Sequence, residues 1–197
     1  MRPYAGQMRW DALFNDMESQ FAEADRLSME VEVTERARVE TASIDLVDRL
    51  RGSLGSHVAV HLVCGIVFEG ALSHAGADAL VLNQPRHQVL IPYAAAARYV
   101  GIGRLSVGEP SRLRRSIGLS NALRGLARDR SELVVNTTGG SEHGLGLAGV
   151  IDRVGRDYFD LAAVSPGEVR RASAITQVST IPLGALASIR SPRTADG

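Results

Sequence analysis

The stretch Phe68–Leu82, FEGALSHAGADALVL, decides the fold, because its pattern returns at Leu147–Leu161 as LAGVIDRVGRDYFDL. Gly70 falls on Gly149, Gly76 on Gly155, Asp78 on Asp157, Leu80 on Phe159 and Leu82 on Leu161, all at an offset of 79 residues. An internal repeat means that one supersecondary unit is built twice. Upstream, Leu50-Arg51-Gly52 answers Leu123-Arg124-Gly125; downstream, Ile91-Pro92 answers Ile181-Pro182. The spacing changes between these anchors read as insertions, which collect in surface loops.

Around the first copy the apolar residues alternate as they do in strands. Val58, Val60 and Leu62 form one run, and Ile66 to Leu72 follows a turn at Cys64-Gly65. Leu80 to Leu82 follows the turn Gly76-Ala77-Asp78, and Val89 to Ile91 and Arg98 to Ile102 complete five short strands. The second copy runs through Leu133–Val135, Leu145–Val154, Tyr158–Ala163, Ile175–Ile181 and Leu186–Ile189. Five strands of this length predict a small antiparallel barrel, in which closure removes the edges and glycines such as Gly70 permit the bending.

Ahead of the strands, Trp10 to Arg51 contains neither Gly nor Pro. Trp10, Leu13, Phe14, Met17, Phe21 and Ala24 recur at helical spacing, which predicts a helix with one apolar face. Beyond Leu27 that face thins among charges and resumes at Ile44, Leu46, Val47 and Leu50, so one long helix or two would fit. Glycines at 52 and 55 stop it.

The order helix, strand, bent strand with Gly70-Ala71-Leu72, turn, Leu80-Val81-Leu82, then Ile91-Pro92 and a closing strand resembles the Sm-like (LSm and Hfq-type) small barrel. The second copy carries the resemblance at Leu123-Arg124-Gly125, Gly149-Val150-Ile151, Tyr158-Phe159-Asp160-Leu161 and Ile181-Pro182. It implies an α+β chain with these parts: an N-terminal helical region (1–43), a first Sm-like (SH3-like) barrel (44–103), an Arg-rich linker (104–117), a second barrel (118–190) and a disordered tail (191–197), each barrel preceded by a short helix. Sm-like proteins hold RNA through Asp and Asn before the L-V-L strand and an Arg-Gly after it. Here those positions are Ala79 and Pro92-Tyr93, with Tyr158 and Pro182-Leu183 in the second copy, so the usual uridine contacts do not carry over. Met8–Gln20, MRWDALFNDMESQ, also resembles the opening of an actinobacterial family, which implies lineage rather than activity. Met8 is a second candidate for the natural start.

Charge narrows the function. The chain of 197 residues balances 22 basic against 22 acidic residues, so its net charge makes no case for a polyanion or an anionic membrane. Every base is Arg. Residues 1–48 are acidic, whereas Arg104–Arg130 holds seven Arg against Glu109 and Asp129. Arg112, Arg114, Arg115, Arg124, Arg128 and Arg130 are the candidate contacts for nucleic acid or an acidic partner, since clustered cations are what phosphates need. The competing reading pairs them with the acidic helix of this chain or of a partner. Trp10, Leu13, Phe14, Met17 and Phe21 are the candidate protein-interaction face, toward a partner or a second copy.

Catalytic chemistry finds little footing. Gly144-Leu145-Gly146-Leu147-Ala148-Gly149 satisfies G-x-G-x-x-G, yet alternation after it predicts a strand where a dinucleotide loop needs a helix. His57, His61, Cys64, His74 and His87 lack the paired spacing of a metal site. Asp78 and Asp157 each follow a turn glycine, where an aspartate caps its own backbone. No cofactor or metal is expected. One cysteine and no long apolar run point to a reducing compartment, taken as the cytoplasm. The first reading is therefore a non-catalytic, regulatory interaction protein, and its rival is a nucleic-acid-binding regulator using the Arg cluster.

Overall fold

A computed structural model describes residues 7–139, 146–164 and 175–192. The chain divides into two compact units, 1–44 and 45–197.

The first unit holds helix α1, Gln7–Ala42, whose described side chains are all exposed. Ion pairs one turn apart run along it: Glu23 with Arg26, Glu32 with Arg36 and Glu35 with Arg38. Such exposed pairs each add only a few tenths of a kcal/mol to a helix. Phe14, Met17 and Phe21 lie on one face of α1 and are exposed. Among the described residues no helix is long and apolar enough to cross a membrane.

In the second unit a short helix α2, Leu46–Arg51, leads into an antiparallel sheet that has ten strands among the described residues. These are β1 His57–Leu62, β2 Val67–Ala75, β3 Ala79–Asn83, β4 His87–Pro92, β5 Ala96–Val100, β6 Leu133–Thr137, β7 Leu147–Val154, β8 Tyr158–Val164, β9 Ile175–Pro182 and β10 Leu186–Pro192. Helices α3, Arg112–Ser116, and α4, Leu119–Asp129, lie between β5 and β6 in sequence.

The strands form one sheet in the order β5-β1-β2-β3-β4-β10-β6-β7-β8-β9. This corrects the expectation of two small Sm-like barrels arranged as a tandem repeat: the two copies of the pattern are halves of one open sheet. The physical reason lies in β4. It pairs β3 on one side and β10 on the other, with Leu90 opposite Ile189 and Val89 opposite Arg190. A strand with both edges in ladders cannot also close a barrel onto β5, which among the described residues pairs with β1 alone.

The side chains of β4 show the same thing. Val89 and Ile91 enter a core with Leu50, Val58, Val60, Leu72, Leu80 and Leu82. Leu90, on the opposite face, enters a second core with Leu119, Leu123, Leu133, Ile151, Phe159, Leu161 and Ile189. A strand buried on both faces reads as a continuous apolar run, and VLI at residues 89–91 is one. Each core carries a helix. Leu50 of α2 is fully buried in the first, and Leu119 and Leu123 of α4 are buried in the second.

Glycine lets the strands cross closely. A Cβ on Gly70 would strike the carbonyl oxygen of Asn83, and one on Gly149 that of Ala162. Just beyond each glycine the register shifts, between Leu72 and His74 in β2 and between Ile151 and Arg153 in β7. Such bulges sharpen the local twist.

Candidate functional site

The Arg-rich segment becomes a surface through the way α4 is seated. Leu119 and Leu123, one turn apart, bury themselves in the second core, so Asn121, Arg124 and Arg128 fall on the exposed side. The N-terminus of α4 cannot cap itself, because its first flanking residue is Gly118. The cap comes from the β2–β3 turn, where Asp78 Oδ1 accepts a hydrogen bond of 2.6 Å from the Leu119 N–H. A carboxylate here meets both an orphan donor and the positive end of the helix dipole. Gly118 is what makes room, since a Cβ there would run into the Asp78 carboxylate. The Ala77 N–H adds a second tie, donating to Ile117 O at 3.0 Å.

The sequence reading gave Asp78 to its own turn, and the structure gives its carboxylate to α4, 41 residues away. The turn is itself held by Tyr93, whose N–H donates to Asp78 O at 2.8 Å and whose hydroxyl donates to Gly76 O at 3.0 Å. Burial, with Tyr99 close by, pushes the Tyr93 hydroxyl well above the usual phenol range; Arg51 opposes the shift and Asp78 adds to it. Tyr93 is therefore a neutral donor at any ordinary pH.

Beside α4 lies an open groove of about 610 Å³ lined by Ile117, Asn121, Arg124, Ala127, Arg128 and Val154. Arg124 and Arg128 stand one turn apart on its rim and are exposed. Neither forms an ion pair among the described residues, and the same holds for Arg112 and Arg114 on α3. Helix α3 is capped by Ser111, whose Oγ accepts from the Arg114 N–H at 3.4 Å.

The six candidate arginines thus do not form one cluster. Arg124 and Arg128 share the groove, and Arg112 and Arg114 are exposed on α3. Arg115 lines a separate cleft of about 230 Å³ with Arg51, Asp45, Asp48 and Glu109, in which Asp48 is paired with Arg51 at 2.7 Å. Arg130 adopts a left-handed conformation at the C-terminus of α4, with φ 49°. Sequence reasoning missed the groove's other walls: Asn121 was legible as the residue one turn before Arg124, but Val154 comes from β7 through a tertiary contact.

The remaining candidates fall elsewhere. Trp10 and Leu13 lie on α1, outside the residues whose side chains are described, with Phe14, Met17 and Phe21 on the same helix. His57 and His61 lie on β1, and His61 Nδ1 is 3.4 Å from the Arg98 guanidinium. Among the described residues no three His, Cys, Asp or Glu side chains are grouped so as to hold a metal ion. Gly144 lies outside the described residues, and Gly149 sits in strand β7 rather than ahead of a helix. Neither the family models nor the curated proteins compared with the chain give a match.

Proposed function

We propose that this protein is a non-catalytic binding protein and that its ligand surface is the α4 groove, which takes the phosphate backbone of a nucleic acid. Arg124 and Arg128 make the contacts, and Asn121 offers a neutral amide. The observation that carries this reading is the pair of exposed guanidiniums, one turn apart over a groove, with no carboxylate partner among the described residues. Unpaired cations gain most from phosphate, because no existing ion pair must break first. The acidic helix spends part of its charge internally, on Arg26, Arg36 and Arg38. With an apolar floor and no aromatic among the described residues of its lining, the groove suits backbone contact over base stacking, so binding is tolerant of sequence. A reducing, cytoplasmic setting goes with this reading.

The test is fluorescence anisotropy with labelled single-stranded RNA and duplex DNA of mixed sequence. Arg124→Gln/Arg128→Gln weakens binding and flattens its salt dependence, while the corresponding Lys pair retains most of both. Equal binding by wild type and the Gln pair would overturn the reading.

A second reading rests on α1. Phe14, Met17 and Phe21 expose 56%, 41% and 65% of their surface on one face of a 36-residue helix. Helices draw most of their stability from burying such a face, which favours a partner protein seated on α1.

A further inference from the structure

Among the described residues the sheet ends in two strands that pair on one side only, β5 and β9. Edges template pairing with other chains, and proteins blunt them with charge, mid-strand proline, bulges or shortness. β9 has almost none of these. It is eight residues long, ITQVSTIP, carries no charged residue, and has its only proline at the end. Its one register irregularity, opposite Val164, lies at its very start. Val178 is 52% exposed on it. An uncharged run rich in β-branched residues along an open edge is a strand prepared to gain a neighbour.

The same chain shows what that neighbour is. β4 runs into Pro92, a single 3-10 turn at Tyr93–Ala95, and then β5; β9 runs into Pro182, a 3-10 turn at Leu183–Ala185, and then β10. The backbones agree closely, with φ −62° and ψ 141° at Pro92 against −61° and 140° at Pro182. The Tyr93 N–H donates to Asp78 O at 2.8 Å, and the Leu183 N–H donates to Asp157 O at 2.8 Å. β9 is thus the counterpart of β4, and β5 the counterpart of β10. In the middle of the sheet β4 and β10 are hydrogen-bonded to each other. Their counterparts are the two open edges.

We propose that β9 of one copy pairs antiparallel with β5 of a second copy, in the register of the β4·β10 ladder. Ile189 opposite Leu90 and Arg190 opposite Val89 translate into Tyr99 opposite Thr180 and Val100 opposite Ser179. The contact is heterologous, using different surfaces on the two copies, so it propagates head to tail. It covers Val178 and Val100, the latter 49% exposed. It is weaker than the internal seam, because Ser179 and Thr180 stand where β4 has Val89 and Leu90. This inference does not rest on the nucleic-acid reading, whose groove is on α4.

The test is disulfide trapping in a Cys64→Ser background, which removes the single native thiol. Mixing the Val100→Cys and Ser179→Cys chains under mild oxidation gives mixed dimers, neither chain alone gives its own dimer at comparable yield, and the double variant gives a ladder. Val67→Cys, exposed on the inner strand β2, is the control and does not cross-link to Ser179→Cys. Mixed dimers at the control yield, or equal homodimers from either chain, overturn the proposal. A measurement that spares the backbone runs beside it. In light scattering, the mass of the native chain rises with concentration and Val178→Lys, a charge on an exposed edge position, suppresses the rise. A native chain that stays monomeric, or a Lys variant that assembles equally, overturns the proposal.

Discussion

Replacing Asp78 with alanine removes the cap of the helix that carries the groove. The lost contact is the 2.6 Å hydrogen bond from the Leu119 N–H, made to a carboxylate at the positive end of α4. N-cap deletions cost about 0.5–2 kcal/mol, and the exposure of Asp78 keeps the helix-dipole part toward its lower end, so about 1–1.5 kcal/mol is expected. For a unit of this size that is a fall in Tm of roughly 2–6 °C. Gly118 sharpens the test, because a Cβ there would collide with the carboxylate. Gly118→Ala is therefore destabilising in the native background and markedly less so with Asp78→Ala, giving a coupling of about 1 kcal/mol or more in a double-mutant cycle followed by urea denaturation. Asp157, at the matching turn, makes no side-chain hydrogen bond to a described residue, and Asp157→Ala stays within about 0.5 kcal/mol of the native chain. If Asp78→Ala and Asp157→Ala behaved alike, or the cycle were additive within about 0.5 kcal/mol, the seating of α4 by Asp78 would be refuted.

The other predictions concern the first core. The Tyr99 hydroxyl is buried without a hydrogen-bond partner among the described residues, so Tyr99→Phe raises stability by up to about 1 kcal/mol in the same assay. Burial holds Tyr99 neutral up to about 12 and pushes Tyr93 higher still, whereas in the unfolded chain both ionise near 10. Above about pH 10 the unfolded chain therefore binds fewer protons than the folded one, and stability falls as pH rises. It is unaffected by these groups below that pH, and Tyr99→Phe makes the alkaline fall shallower. A pH series of urea midpoints checks the sign.

The strands were legible in the sequence because alternation reports which face a residue occupies: Val58, Val60 and Leu62 of β1 are buried as their spacing requires. Pairing was not, since alternation says nothing about a strand's neighbour, and β4 finds β10 only after half the chain has intervened. Leu90 held the clue. On a barrel facing water it would be polar; it is apolar and buried in the second core. Charge behaved similarly. The positive segment was visible, but which arginines share a groove depends on α4 burying Leu119 and Leu123 and on Asp78 reaching across to its first turn, both tertiary events. Arg115 follows Arg114 in sequence and yet lines a different cleft, with Arg51, Asp45, Asp48 and Glu109.

The most direct test of the central claim is the slope of log affinity against log salt for a mixed-sequence DNA duplex. Two phosphate contacts, from Arg124 and Arg128, give a slope near −1.8, a loss of roughly 12-fold between about 50 and about 200 mM salt. Arg124→Gln/Arg128→Gln removes both contacts and leaves almost no salt dependence over the same range. No binding at the lowest salt, or one slope shared by both proteins, would contradict the account.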